Sequence, residues 1–200
     1  MSQKSKDIAI VIPARLNSRR LKNKVLIKFN GLEMIEHVRR RALLNRYDAP
    51  VFVLSGDNKI LDLIKSYGGS TYKSRLHHAN GLSRVSEAMS SLNFSNFIVV
   101  QADEVLIDPE SINNLISYVK KNKFDAVNCV TKIKTLKDIN DVNIVKCILD
   151  EQKNILNIFR KTPLISDPSL QIKELMKITG LFALKKFEPR YKKNEFETLI

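Results

Sequence analysis

The sequence predicts an α/β fold with a mostly parallel central sheet and a smaller strand-rich elaboration in its second half. Short apolar runs rich in β-branched residues recur through the first half, as in strands that are buried on both faces of a parallel sheet. Segments with helical apolar spacing separate these runs, and such alternation is typical of right-handed crossovers between parallel strands. The 200-residue chain fits a single domain, 1–200, with residues 124–190 as the elaboration.

The first predicted strand, Ile8–Ile12, should end at Pro13, because proline has no N–H to donate to a neighbouring strand. A turn at Asn30-Gly31 follows. The remaining elements of the first half are expected in this order: a helix over 34–45, a strand over 51–55, a helix to about 67, a short strand over 70–73, a polar loop over 77–84 that leads into a helix, a strand over 97–101, and a helix that Pro109 opens. Asp57 should cap the second of these helices.

The second half is predicted to be rich in strands joined by short turns. The expected elements are strands over 126–130, 142–149, 155–159 and 178–184, a hairpin turn over 151–154, and the start of a helix at 195. This part could supply an arm for contacts in a homodimer.

The composition indicates a soluble globular protein, with 44% apolar and 28% charged residues. No apolar run approaches the roughly 18 residues of a membrane span, and the N-terminus lacks the apolar core of a signal peptide, so we expect a cytoplasmic protein. The net charge of +13 is spread along the chain, which favours a generally basic surface. A nucleic-acid-binding protein is the weaker alternative, since aromatic residues do not interleave the basic ones.

A basic loop follows the first predicted strand, and it carries Arg15, Arg19, Arg20, Lys22 and Lys24. Open α/β sheets bind ligands at the carboxyl ends of their strands, and clustered cations at that edge suit a polyphosphate. The alternative is a solvated basic surface loop.

Two acids, Asp103 and Glu104, directly follow the strand over 97–101 and should lie at the same edge as the basic loop. A carboxylate that faces a phosphate site suits a divalent metal between the two, and Asp103 would hold Mg²⁺ in this way. The alternative is an acid that caps the helix opened by Pro109, a role that Asp108 fulfils more naturally.

Three further polar residues have more than one interpretation. His78 either contacts a nucleotide or lies in an exposed loop, and Arg84 either holds an anion or is a surface arginine. Arg160, after the strand over 155–159, could bind a carboxylate through two parallel hydrogen bonds. The sequence contains no Ser/His/Asp order, no Gly-x-Gly-x-x-Gly and no Walker lysine loop, which indicates binding and positioning of phosphates without a protein nucleophile.

Together these segments resemble the sugar-activating cytidylyltransferases, and within them the 3-deoxy-manno-octulosonate cytidylyltransferases (CMP-Kdo synthetases). The most specific match is Pro13-Ala-Arg-x-x-Ser-x-Arg20-Leu-x-x-Lys24-x-Leu. The weaker matches follow in the same order as in the family: Met34-Ile-Glu-His-Val, His78-Ala-Asn-Gly-Leu-Ser-Arg84, Val100-Gln-Ala-Asp-Glu-Val, Asn143-Ile-Val-Lys and Phe159-Arg160.

The resemblance implies a Rossmann-like nucleotidyltransferase fold, usually as a homodimer, with CTP and an acidic 2-keto sugar such as Kdo as partners. The enzyme would transfer CMP from CTP to the anomeric hydroxyl of the sugar and release pyrophosphate, with Mg²⁺ as cofactor, in the activation of a lipopolysaccharide sugar. The alternative is a degenerate homologue that lacks the family's C-terminal metal-binding segment and binds nucleotide or a partner without turnover.

Carried over by position, the resemblance also implies roles for individual residues. Nucleotide binding would fall to Pro13, Ala14, Arg15, Ser18, Arg20, Lys24, His78, Gly81 and Arg84. Gln101, Arg160 and Glu195 would contact the sugar. Arg15, Lys24 and the metal ligand Asp103 would act directly in catalysis.

Overall fold

A computed structural model describes residues 7–17, 21–161 and 172–186 of the protein. The chain divides into two compact units, Met1–Ala126 with Ala183–Ile200, and Val127–Phe182. The second unit lies inside the range 124–190, over which the sequence predicts a strand-rich elaboration. The assignment of residues 1–200 to a single domain stays a prediction.

The first unit is built around parallel strands, as the sequence predicts. Its elements are β1 (Ile8–Pro13), a one-turn 3-10 helix (Lys24–Leu26), β2 (Lys28–Phe29), β3 (Leu32–Glu33), α1 (Met34–Leu43), β4 (Val51–Ser55), α2 (Asn58–Ser66), β5 (Ser70–Lys73), α3 (Gly81–Ser91), β6 (Asn96–Val100) and α4 (Pro109–Lys121). The strands are ordered β5-β4-β1-β6. All three neighbouring pairs in this order run parallel. The mixed α/β class with a mostly parallel central sheet is therefore confirmed.

The central strand β1 is fixed by burial. Each residue from Ile8 to Ile12 is at most 2% exposed, and in β6 the residues from Phe97 to Val100 are at most 1% exposed. Burying one such side chain stabilises the fold by roughly 1.5–3 kcal/mol. Since β1 is anchored along its whole length, its last residue, Pro13, is held at the carboxyl edge of the sheet, and the predicted strand end is confirmed.

A tight turn joins β2 and β3 where the sequence predicts one. Asn30 and Gly31 both have positive φ angles, 49° and 79°, which is the backbone twist that two-residue hairpins prefer. Other predicted boundaries are shifted: α1 ends at Leu43, and α3 begins at Gly81, so Arg84 lies inside the first turns of that helix.

The second unit consists mainly of strands. Its elements are β7 (Ala126–Lys132), α5 (Leu136–Asn140), β8 (Lys146–Leu149), β9 (Ile155–Phe159) and β10 (Leu175–Lys185). The first residue of β7 and the last three residues of β10 belong to the first unit. β10 pairs with β7 and runs antiparallel to β8, which runs antiparallel to β9. Its small core is formed by Ile133, Ile139 and Leu175.

The second unit contains one element that the sequence analysis does not predict and one predicted strand with a wrong start. Helix α5 was not expected, although Thr135 and Asp138 form a capping box at its start. The strand expected over 142–149 begins only at Lys146, because Asp141 organises a turn before it: the side chain of Asp141 accepts the N–H of Asn143 (2.8 Å).

Within the described part of the chain, no helix combines the length and the apolar character needed to cross a membrane.

Candidate active site

The candidate site lies at the carboxyl edge of the parallel strands in the first unit. Pro13 of β1 pairs with Leu54 of β4, and Val11 of β1 pairs with Val99 of β6. The segments that follow β1, β4 and β6 therefore leave the sheet side by side, which is where open α/β sheets bind their ligands.

Lys24 and Asp103 meet at this edge. The Nζ atom of Lys24 donates to Oδ2 of Asp103 at 2.7 Å, and the two side chains are 31% and 43% exposed. The structure thus brings the last cation of the basic loop into contact with the acid that follows β6.

Side chains from α3 and from the β4–α2 junction hold the backbone at the start of the basic loop. The Arg84 guanidinium donates from Nη1 to the carbonyl oxygen of Ala14 (2.9 Å). The N–H of Leu16 donates to Oδ2 of Asp57 (3.0 Å), and the carbonyl oxygen of Leu16 accepts the N–H of Asn23 (3.0 Å). Asp57 occupies the N-cap position of α2, as the sequence predicts, but its side chain forms no capping bond and binds the loop instead.

Arg84 is buried, and the interpretation as a surface arginine is wrong. Only 6% of the residue is exposed, and Nε donates to Oγ of Ser74 (3.1 Å) in addition to the bond with Ala14. Burial lowers the pKa of Arg84, the carboxylate of Asp57 opposes this, and the cation of Arg15 lowers the pKa further.

The loop before α3 and the start of α3 lie next to the end of β1 and the basic loop. Nη1 of Arg15 donates to the carbonyl oxygen of Ala79 (2.9 Å). At the first position of α3, a Cβ placed on Gly81 would lie 3.5 Å from Cγ of Pro13, so the helix begins in van der Waals distance of the end of β1. Asn80 caps this helix by accepting the N–H of Ser83 (2.9 Å).

His78 is buried and bound to Glu87 of α3. It is 8% exposed, and its Nε2 is hydrogen-bonded to the Glu87 carboxylate. Glu87 also accepts the N–H of Arg75 (2.8 Å). Burial raises the pKa of Glu87, but the hydrogen bonds from Arg75 and His78 outweigh it, and the pKa lies below its ordinary value. The described residues contain no group of three or more His, Cys, Asp or Glu side chains arranged to hold a metal ion.

Gln101 occupies the first position after β6 and is exposed. Its carbonyl oxygen accepts the N–H of Glu104 (3.1 Å), so the chain turns directly after the strand and passes through Asp103. Ser18, Arg19, Arg20 and Glu195, which the sequence analysis also singles out, lie outside the described residues.

Arg160 belongs to the second unit, where it follows β9. Its Nη1 donates to the carbonyl oxygens of Val142 (3.1 Å) and Asn143 (3.2 Å). Lys146, which is fully buried, donates from Nζ to the carbonyl oxygens of Asp141 (2.5 Å) and Arg160 (2.8 Å). Burial lowers the pKa of Lys146 below its ordinary value. The turn before β8 and the chain after β9 are thereby tied together.

Comparison with known proteins identifies the family. A sequence model described as cytidylyltransferase matches residues 9–195 of the chain. The chain belongs to the cytidylyltransferase family. Enzymes of this family generally use a divalent metal, which neutralises charge on the phosphates of the nucleotide.

Named relatives within the cytidylyltransferases act on octulosonate sugars. An 8-amino-3,8-dideoxy-manno-octulosonate cytidylyltransferase from Shewanella halifaxensis is 32% identical over 161 residues, which cover 78% of this chain and 66% of the relative. A 3-deoxy-manno-octulosonate cytidylyltransferase from Francisella tularensis is 31% identical over 180 residues, which cover 88% of this chain and 71% of the relative. The chain spans just under two thirds of the length of the Shewanella protein.

A solved cytidylyltransferase has the same fold. The structure of CMP:2-keto-3-deoxy-manno-octonic acid synthetase complexed with CTP superposes with a TM-score of 0.81 at 26% sequence identity, over 90% of this chain and 74% of that chain. The Rossmann-like nucleotidyltransferase architecture that the sequence predicts is thereby confirmed.

Proposed function

We propose that the protein transfers CMP from CTP to the anomeric hydroxyl of an acidic 2-keto sugar, Kdo or its 8-amino derivative, and releases pyrophosphate. In this reaction the hydroxyl oxygen loses its proton to solvent and bonds to the α-phosphorus, while the bond from that phosphorus to the pyrophosphate oxygen breaks. The contact between Lys24 and Asp103 carries the proposal, because it brings the cation that we assign to the phosphates together with the acid that we assign to the metal, at the carboxyl edge of the sheet. The names of the relatives supply the sugar class.

The triphosphate would bind along the basic loop. Arg15 and Lys24, together with the end of β1 at Pro13 and Ala14, form the described part of this loop, and Ser18 and Arg20 are assigned to it from the resemblance. Phosphoryl-type transfer depends on alignment and on neutralisation of charge more than on covalent chemistry by the protein. The guanidinium and ammonium groups neutralise charge on the phosphates, and their place next to a rigid strand end helps to align them.

The cytidine would lie beside the start of α3. His78, Gly81 and Arg84 are assigned to this side of the nucleotide, and the fixed side chains of His78 and Arg84 support the assignment. His78 is held by Glu87, and Arg84 is held by Ala14 and Ser74. Because these side chains are buried among fixed partners, the surface that they support is preorganised for binding.

Asp103 is our candidate ligand for Mg²⁺. Its carboxylate is a hard oxygen donor, is 43% exposed, and already contacts a cation in Lys24. Mg²⁺ in nucleotide sites is usually held by one or two carboxylates and by substrate phosphates, so a protein cage of several acids is not required. When bound, the metal would neutralise charge on the reacting phosphates.

The sugar would contact Gln101, Arg160 and Glu195. Gln101 is exposed directly after β6. Arg160 uses Nη1 for its bonds to backbone carbonyls, and a guanidinium has further N–H groups that match the two oxygens of a sugar carboxylate.

We also propose that the protein is a cytoplasmic homodimer that uses the second unit as part of its interface. β9 ends the strand order, and it exposes Leu156 (66%) and Ile158 (52%). Exposed apolar side chains on a terminal strand favour coverage by another chain.

The decisive experiment measures pyrophosphate release from CTP and Mg²⁺ with Kdo, with 8-amino-Kdo and with neutral sugars as controls. Release that requires an acidic octulosonate would support the transferase. CTP binding without release would instead favour the binding-only alternative. Absence of CTP binding would contradict both, and steeply salt-dependent binding of DNA or RNA would then favour the nucleic-acid alternative.

A further inference from the structure

Two oppositely charged side chains hold the peptide groups on either side of Arg15. The carbonyl oxygen of Ala14, in the peptide group before Arg15, accepts from the guanidinium of Arg84 at 2.9 Å. The N–H of Leu16, in the peptide group after Arg15, donates to the carboxylate of Asp57 at 3.0 Å. In each bond the peptide atom meets an ion of opposite charge, so both bonds are stronger than hydrogen bonds between neutral groups.

These two bonds leave little freedom to the backbone of Arg15. Arg84 is only 6% exposed, and Asp57 is half-buried at the junction of β4 and α2. The Arg15 side chain is fixed in turn by its bond to the carbonyl oxygen of Ala79 (2.9 Å). Asp57, 41 residues from Leu16, and Arg84, 70 residues from Ala14, therefore hold the backbone on both sides of Arg15.

Asp57 also balances charge at this place. Arg15 and Arg84 are both cations, and the charge of Arg15 lowers the pKa of Arg84. The carboxylate of Asp57 acts in the opposite direction on the same group. Removal of this carboxylate would take away one of the two acids, Asp57 and Glu87, that oppose the effect of Arg15 on the buried Arg84 cation.

We propose that Asp57 is a positioning residue for the triphosphate-binding loop, acting on Arg15 through the N–H of Leu16 and through its charge. This inference rests on the proposed function, in which Arg15 binds the phosphates of CTP. Asp57 itself touches no reacting group in this account. Its role is to keep the Arg15 guanidinium in the orientation that phosphate binding requires, so that this one side chain is already held in place before CTP arrives.

A first experiment tests the contact without using any activity. In the full chain labelled with ¹⁵N-leucine, the amide of Leu16 is expected to exchange slowly with solvent, and Asp57→Ala should accelerate this exchange about tenfold or more. Asp57→Asn retains an oxygen acceptor and should restore much of the protection. The matched control is Asp62→Ala, which removes an exposed acid from α2, the helix that Asp57 precedes. Unchanged exchange of Leu16 in Asp57→Ala would overturn the inference.

A second experiment tests the positioning role by a double-mutant cycle on CTP affinity in the presence of Mg²⁺. We expect Arg15→Ala to weaken binding about tenfold in the wild-type background and less than about threefold in the Asp57→Ala background, because Arg15 is no longer held in place. In the Asp62→Ala background, the full effect of Arg15→Ala should remain. Should Asp57→Ala fail to fold, Asp57→Asn takes its place in the cycle, where loss of the charge alone should still reduce the effect of Arg15→Ala.

The outcomes separate this inference from the proposed function. Failure of the wild-type protein to bind CTP would overturn the proposed function. Normal wild-type binding together with a full Arg15 effect in the Asp57 variants would overturn only the positioning role. A reduced Arg15 effect, with melting temperatures that show a folded protein, would establish it.

Discussion

At the scale of single residues, the site is formed by contacts between positions far apart in the sequence. Lys24 and Asp103 are separated by 79 positions, and their ion pair is 2.7 Å long. Because both side chains are partly exposed, such a pair contributes only about 0–1 kcal/mol to stability. A contact this weak can be exchanged for a phosphate or a metal ion at little cost, which suits residues that bind substrates.

Asp103→Asn should abolish turnover while the fold survives. The substitution removes the negative charge that would hold the metal, and a partly exposed side chain at the end of a strand contributes little to the core. Pyrophosphate release in the presence of CTP, Mg²⁺ and the sugar measures the effect, and thermal melting checks the fold. Asp125→Asn, at an exposed acid before β7, serves as the control. A near-normal rate in Asp103→Asn would exclude Asp103 as the metal ligand.

Lys24→Gln should change two affinities in opposite directions. Loss of the ammonium group should weaken CTP binding about tenfold, because one charge-assisted contact with phosphate is lost. The same substitution should strengthen the binding of Mn²⁺ in the absence of nucleotide by up to about fivefold, since Lys24 no longer competes for the Asp103 carboxylate. Titration with Mn²⁺, followed by electron paramagnetic resonance, measures this. Weaker Mn²⁺ binding would show that Lys24 does not compete with the metal.

The sequence predicts residues at strand ends better than it predicts their supports. Lys24 and Asp103 could be placed together because each follows a buried parallel strand, and parallel strands end at one edge. Asp57 follows such a strand as well, but its position before a helix also suits a cap, and local pattern cannot decide between the two roles. The decision depends on a bond to Leu16, which is 41 residues away.

At the scale of elements, α3 fixes the loop before it through Glu87. This carboxylate accepts from the N–H of Arg75 at 2.8 Å and from His78, and it lies within 3.4 Å of the Tyr72 hydroxyl. We expect Glu87→Gln to destabilise the protein by about 1–3 kcal/mol at neutral pH, since hydrogen bonds to a charged acceptor are replaced by weaker ones.

The destabilisation by Glu87→Gln should depend on pH in a defined direction. The pKa of Glu87 in the folded protein lies below its ordinary value of 4.5, so the unfolded chain binds more protons between these two pKa values. The stability that the carboxylate contributes is therefore present above pH 4.5 and is lost as the pH falls through the folded pKa. Denaturation of both proteins at neutral and acidic pH measures the difference. Glu151→Gln, at an exposed position, is the control, and a difference that grows towards acidic pH would contradict the prediction.

Element types were predicted more reliably than their boundaries, and the second unit shows why. The sequence predicts its strands, but the predicted strand over 142–149 includes a segment before Lys146 in which Val142 and Ile144 have high strand propensity. Side-chain bonds of Asp141 override this propensity by closing a turn. The sequence Thr135-x-x-Asp138 has the pattern of a capping box. The helix that follows has only five residues, which are too few to show a helical apolar period.

At the scale of the whole molecule, the proposed roles divide between the two units. The described residues assigned to CTP and to the metal belong to the first unit, whereas Arg160, assigned to the sugar carboxylate, belongs to the second. In the second unit, buried Lys146 binds the carbonyl oxygen of Arg160, so the position of the guanidinium depends on the packing of this unit. A unit of 56 residues, 127–182, with a small core is a place where coverage by a second copy would add stability.

The proposed homodimer leads to a prediction for β9. Leu156 is 66% exposed on this terminal strand, and burial of its side chain against another copy would contribute roughly 25 cal/mol per Å² of apolar area. We expect Leu156→Lys to convert the dimer to a monomer, because the interface would have to bury an unpaired ammonium group from each copy. Light scattering after size-exclusion chromatography measures the mass. Leu136→Lys, at an exposed leucine on α5, should leave the dimer intact, and a wild-type protein with the mass of one chain would contradict the proposal, since an exposed apolar strand would then have no second copy to cover it.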